Sequence, residues 1–259
     1  MIITSINLNG LELVSKDYYF HLSGLFDFEK DVIVNDLYID GESYNRSKNK
    51  PKVLVLEGWV MSNDESKVFA LNKILAGNGL KSLIINNEYL CYVEITNRGS
   101  TPDNSHAVTC QLTMPDPYVY AVDTDSISLG AISNASLVLP VVLPFTLGSI
   151  TGGEGAITNR GNAVAYPVIS IIGTCDTITV TNETTGESMS LAVSLGDNDT
   201  LIIDNRPDTR GIYLNGNKRM DLKNGNWISC IPGDNVFSFS RNSLQTKQHC
   251  TVSLNSRWL

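Results

Sequence analysis

The sequence predicts a mainly β protein built in two parts, and three observations carry that prediction. Runs of alternating apolar and polar residues recur from Val168 to the end, joined by polar turns. Only one segment, in the first half, has a helical period with a capping signal before it. The charge is lopsided: residues 1–125 hold 10 Lys/Arg against 17 Asp/Glu, a net −7 out of −8 for the whole chain. With 259 residues, 42% hydrophobic and 18% charged, the chain is long enough for two cores of ordinary size and too apolar to stay disordered.

In the first half, KVLVLEGWV (Lys52–Val60) starts apolar on both faces, which predicts a strand covered from two sides, with the following helix as one cover. Ser62-Asn63-Asp64-Glu65 has the Ser-x-x-Glu form of a capping box. Val68, Leu71, Ile74 and Leu75 follow at helical spacing until Gly77 and Gly79, so a helix is expected over 63–76. KSLIINNEYLCYVEIT then reads as a hairpin turning at Asn86-Asn87, residues that tolerate positive φ. Upstream, residues 39–52 lack apolar periodicity and carry Arg46, Lys48, Lys50 and Lys52, which predicts an exposed loop that could meet an acidic neighbour.

After MPDPYVYAVD the character changes to small and polar residues and a Pro140/Pro144 segment, which places a junction at 126–147 between domains at 1–125 and 148–259. In the second domain Ile178 and Val180 alternate with threonines, and Met189, Leu191, Val193 and Leu195 alternate with Ser190, Ala192 and Ser194. Thr-Thr-Gly-Glu (184–187), Gly-Asp-Asn-Asp (196–199) and Asn215-Gly216 supply the turns. VFSFS (236–240) and CTVSL (250–254) close the series. Short strands at this spacing predict an antiparallel sandwich or jelly roll.

The chemistry-bearing residues are sparse. His21, His106 and His249 are isolated, and the five cysteines (91, 110, 175, 230, 250) are odd in number, with no Cys-x-x-Cys, which predicts buried thiols in a reducing compartment. No nucleophile elbow, phosphate loop or dinucleotide fingerprint is present. Neither a cofactor nor a metal is expected, and Asp197, Asp199 and Asp204 read as turn residues rather than a calcium loop. No enzymatic activity is expected, although paired carboxylates leave no fixed spacing. Trp227 is either a sugar-stacking platform, with Arg219 and Asn226 as companions, or a plug at the end of the sandwich. The amino terminus lacks the basic and apolar regions of a secretory signal, and LVLPVVLPF (137–145) is too short to span a bilayer, so a soluble, unexported protein is expected.

With these elements placed, the chain resembles the distal tail protein (Dit) family of siphophages and prophages. In the first half the resemblance rests on FHLSGLFDFEKDV, IDGESYNRSKNKPKVLVLEGWV, the capped helix and MPDPYVYA. In the second it rests on ITNRGNAVAYPVISIIG, ITVTNETTGESMSL, DTLIIDN, IYLNGNKR and WISCIPGDNVFSFS, in the family's order. The resemblance implies an amino-terminal β domain with one helix that forms a homo-hexameric ring, and a carboxy-terminal galectin-like sandwich. It further implies a structural hub of the tail tip or baseplate, made in the bacterial host cytoplasm and located on the virion tail. Its partners would be the tail tube protein, the tail-tip protein (a tail-associated lysin or fibre) and receptor-binding proteins. Genomic DNA would pass through the ring without specific binding, and an acidic bore would keep it from sticking. The alternative is a lectin-like module that recognises host cell-wall glycan through Trp227, Arg219 and Asn226, on the frame that galectin-like folds share.

Overall fold

Alternation of apolar and polar residues sets which strand faces meet, and in the computed structural model it does so around two separate cores. The structure describes residues 2–36, 42–62, 64–101, 104–129, 152–241 and 249–259. The chain divides into one unit of Met1–Val122 with Leu259 and a second of Asp123–Trp258. Most of the expected junction lies outside the described residues.

The first unit comprises Ile6–Leu8 (β1), Leu11–Glu12 (β2), Tyr18–Ser23 (β3), Lys30–Asp36 (β4), Glu42–Asn49 (β5), Lys52–Val60 (β6), Glu65–Ala76 (α1), Lys81–Ile85 (β7), Tyr89–Thr101 (β8), Asn104–Met114 (β9) and Val119–Ala121 (β10). Its main sheet is antiparallel, in the order β2-β1-β7-β8-β9-β6-β3, with β10 also on β8. The β7–β8 turn falls at Asn86 and Asn87, both at positive φ (53° and 56°), as the asparagine pair predicts. Alternate residues of β6 face inward: Leu54 and Leu56 are fully buried. Gly58 is the inward residue that lets Phe20 of β3 lie directly on the β6 backbone; a Cβ there would stand 2.1 Å from Tyr19 O and 2.6 Å from Phe20 Cα.

Three sequence expectations change here. β6 is covered on one face only: Val53 and Trp59 are 53% and 49% exposed, because α1 packs its Leu71 and Leu75 into the same inner core instead of lying across the outer face. The helix starts at Glu65, and its cap is Asp64, which accepts Ser66 N–H at 2.9 Å. Ser62 Oγ accepts the N–H of Asp64 instead, so the serine holds the residue before the helix and the capping box does not form. Finally, residues 42–49 of the expected loop are β5, paired with β4 in a ladder separate from the main sheet. Pairing there comes from the backbone and needs no apolar alternation.

Two buried lysines serve backbone carbonyls in this unit. Lys81 Nζ donates to Gly77 O (2.5 Å) and Gly79 O (3.0 Å), satisfying carbonyls just beyond the helix end. Lys52 Nζ donates to Leu25 O at 3.1 Å, and burial pushes its pKa down.

The second unit is a two-sheet sandwich of Asp125–Ser128 (β11), Gly152–Asn159 (β12), Val168–Ile172 (β13), Cys175–Asn182 (β14), Glu187–Leu195 (β15), Thr200–Asp204 (β16), Gly211–Leu214 (β17), Asn217–Lys218 (β18), Asn224–Gly225 (β19), Gly233–Arg241 (β20) and His249–Leu254 (β21). One sheet runs β11-β21-β13-β16-β17-β18 and the other β12-β20-β14-β15-β19, all antiparallel. Ile169, Ile171, Leu201, Ile203 and Val252 from the first sheet meet Ile178, Val180, Met189, Leu191 and Phe237 from the second in one core. The predicted alternation of β14 and β15 holds, with a bulge between Asp176 and Ile178 where Thr177 takes positive φ (49°). Asn215 (φ 50°) and Gly216 (φ 80°) turn β17 into β18.

Candidate interaction surfaces

Buried amides fix one loop of the sandwich. Asn159, Asn182, Asn205 and Asn235 are at most 1% exposed. A buried amide is costly unless each of its polar atoms finds a partner. Here the partner is the backbone of residues 228–231. Asn205 Oδ1 accepts Ile228 N–H at 2.9 Å, and Asn182 Nδ2 donates to Ser229 O at 2.7 Å. Asn159 Nδ2 donates to Cys230 O at 3.2 Å. Asn235 accepts Ile231 N–H at 3.1 Å and donates to Ile231 O at 2.8 Å. Glu187 Oε2 adds bonds from Ser229 N–H (2.6 Å) and Ser229 Oγ (2.8 Å). Asn159, Asn182, Glu187, Asn205 and Asn235 all lie in the motifs that carry the family resemblance, where they read as turn residues. Their work is to hold a loop from below, which spacing along the chain does not announce.

That loop begins at Trp227, which is half-buried and packed against the sandwich core. Two cations stand over its ring, Arg210 at 5.3 Å and Lys223 Nζ at 5.5 Å from the centroid. Asn226 is exposed and anchored by its own N–H to Ser188 O at 2.8 Å. The guanidinium of Arg219 is held by Asp221, with Nε 2.9 Å from Oδ1 and an NH2 contact of 2.7 Å to Oδ2. Of the three residues singled out in sequence, Trp227 and Asn226 therefore share one surface, and Arg219 is engaged by its own carboxylate. Arg210 and Lys223 are the companions of Trp227 that sequence reading missed; Lys223 lies four residues away, but Arg210 arrives only through the fold.

Nearby, Asp204 is nearly buried. Burial would raise its pKa, but bonds from Arg206 and Thr209 Oγ1 outweigh this and hold it below the usual carboxylate range. Asp199 is a turn residue, accepting from Gly196 N–H and Asn215 Nδ2 at 2.8 Å each. Among the described residues no group of three His, Cys, Asp or Glu is arranged to hold a metal ion, and no helix is long and apolar enough to cross a membrane.

The first unit presents different surfaces. On the outer face of its sheet Tyr19 lies opposite Trp59, ring centroids 6.2 Å apart and planes at 22°, and His21 lies opposite Glu57. Phe26 and Phe28, each 61% exposed, precede β4, and Lys30 Nζ stands 5.6 Å over the Phe28 ring. On α1, Phe69 is 72% exposed beside a shallow pocket of about 550 Å³ lined by Glu65, Ser66, Val68, Asn72 and His106. The buried Oδ1 of Asn72 has no hydrogen-bond partner there.

Comparison with known proteins gives these surfaces a setting. Residues 160–258 match the family described as the siphovirus-type tail component, C-terminal domain. No curated protein matches the sequence. Over the whole length of both chains the structure is similar to the crystal structure of the SPP1 Dit (gp 19.1) protein, with a TM-score of 0.70 at 12% identity. It is also similar to a chain of the phage P2 baseplate in its activated conformation with Ca, with a TM-score of 0.53 at 9% identity, covering 98% of each. The strontium form of that baseplate gives 0.52 at 8%, covering 96% of this chain and 97% of the other. Residues 160–258 of the second unit thus match the siphovirus-type tail component C-terminal domain, and the whole chain shares the fold of the SPP1 Dit protein.

Proposed function

We propose that the chain is the structural hub of a siphophage or prophage tail tip or baseplate. Copies of the first unit close into a hexameric ring that joins the tail tube to the tail-tip protein, and the sandwiches present receptor-binding proteins. The observation that carries this reading is the likeness along the full chain to the SPP1 protein, described as a paradigm of the hub adsorption apparatus in Gram-positive infecting phages. The surface of the first unit supports it. Tyr19, Phe26, Phe28, Val32, Val53 and Phe69 are all more than half exposed. Large apolar side chains left this exposed on one unit suit a protein contact. Distinct patches on the sheet, the β4–β5 hairpin and α1 suit a heterologous contact, the kind that closes into rings. The role is one of contact rather than catalysis, and the net −7 of residues 1–125 suits a bore past which DNA moves without binding.

Light scattering after size exclusion, with the tube and tail-tip proteins added in turn, tests this. A species near six times 28.3 kDa, alone or nucleated by a neighbour, is the expected result. A strict monomer in every mixture overturns it. Replacing Tyr19 and Trp59 together by serine should abolish assembly at a cost of about 2–4 kcal/mol to the monomer, since each side chain is about half buried and the two stack.

A further inference from the structure

At one edge of the sandwich the outer strands of the two sheets, β18 and β19, are neighbours in sequence, joined through the turn at Met220–Leu222. Five of the nine Lys/Arg between Asp123 and Trp258 fall in residues 206–223. Two of them are neutralised: Arg206 by Asp204 and Arg219 by Asp221, each at 2.7 Å. The other three, Arg210, Lys218 and Lys223, have no carboxylate within 4 Å among the described residues. Each is set on an aromatic ring instead: Arg210 and Lys223 over Trp227, Lys218 over Tyr213 at 6.0 Å. A cation over a ring is held in place without losing its charge.

The mounting is stiff. Arg210 donates to Asn205 O (3.3 Å), Lys223 Nζ donates to Gly225 O (2.6 Å), and Trp227 leads directly into the loop gripped by the buried amides. Between and around these cations the exposed groups are the amides Asn215, Asn217, Asn224 and Asn226 and two carboxylates, Asp208 and the Arg219-paired Asp221. Met220, 42% exposed, is the one large apolar side chain that this edge offers among the described residues. A protein partner would want an apolar centre, which the edge lacks. Neutral sugar stacking would want a bare indole face, and cations stand over this one. What the edge offers is fixed positive charge interleaved with amide donors and acceptors. That is the complement of a polymer carrying both anionic groups and hydroxyls.

We propose that the Arg210–Lys218–Lys223 edge, backed by Trp227 and Tyr213, binds an anionic carbohydrate-type polymer, its phosphate or carboxylate groups on the cations and its hydroxyls on Asn226 and its neighbours. This goes beyond the hub reading and is independent of ring formation, because none of these residues belongs to the first unit.

The full chain is passed over four immobilised polymers: poly(glycerol phosphate), polygalacturonate, dextran and duplex DNA. Retention on the first or second is expected, and which of them binds more tightly identifies the anion. Affinity should fall about tenfold between 50 and 200 mM salt, as for a ligand held by two or three charge contacts. Lys218→Ala with Lys223→Ala should weaken binding about tenfold or more, while Lys218→Arg with Lys223→Arg stays within about twofold. Melting curves of the alanine variant should stay close to the parent's, since Lys218 is exposed and Lys223 half-exposed. Four results would each overturn the proposal: no retention on either anionic polymer at 50 mM salt, equal retention on dextran, duplex DNA binding as tightly as the better polymer, or an alanine variant that binds like the parent. All are readable on a protein that never assembles, so they stand apart from failure of the hub reading.

Discussion

The two units solve the problem of a β-sheet surface in opposite ways. In the first, the large apolar side chains left in solvent reach exposures of 84% at Ile2 and 72% at Phe69, and the buried polar groups among the described residues are two lysines. In the second, no large apolar side chain among the described residues exceeds 44% exposure, and the buried polar set is mostly asparagine. Lysines reaching carbonyls close the ends of elements, whereas amides that both donate and accept fasten one backbone segment to several strands at once. The first unit leaves large apolar side chains in solvent, whereas the second covers most of its described ones.

Substitutions that strike one unit and spare the other sharpen this contrast. The largest effect is expected at Gly58, where alanine would drive Cβ into the Tyr19 carbonyl. A loss of about 4 kcal/mol or more should unfold the first unit while hydrogen exchange in the sandwich stays protected. Equal loss of protection in both units would show that they do not fold separately. Next comes Asn235→Ala, which strips partners from Ile231 N–H, Ile231 O and Gly233 O. It should cost the sandwich about 3 kcal/mol and loosen residues 228–231 in exchange experiments. A cost below about 1 kcal/mol would mean that water replaces the amide there. The smallest effect is at the helix start: Asp64→Ala should cost about 1 kcal/mol and Ser62→Ala within about 0.5, and the reverse order would restore the capping box.

Most of the strands were legible because burial imposes alternation directly on sequence, as in Ile178/Val180 and Met189/Leu191. β5 was not legible, since a two-stranded ladder apart from the main sheet asks only for backbone pairing, and its residues ESYNRSKN show no period. β6 was misread for a related reason: its outer Val53 and Trp59 look like part of a second buried face, but within one chain they stay exposed. On the proposed hub reading, such core-like residues at positions that a single chain leaves open would be covered by a neighbour. At the candidate sites Trp227 and Asn226 stood out by residue type, whereas Arg210 joined them only through the return of β17 beside the turn at Met220–Leu222. The asparagines were visible as motif letters, but their burial was not, because turn and pin favour the same amide.

The five cysteines, all buried and none in a disulfide, have a bearing on durability. Burial pushes the Cys91, Cys230 and Cys250 thiols up to about 12 and raises Cys110 as well, so at neutral pH they stay protonated and are poor nucleophiles. A tail part of the proposed kind is made in a reducing cell and then waits for a host in aerated medium. In such a part, sulfur locked inside both units would give oxygen nothing to join, so copies stored at high density should not tie themselves together through cysteine.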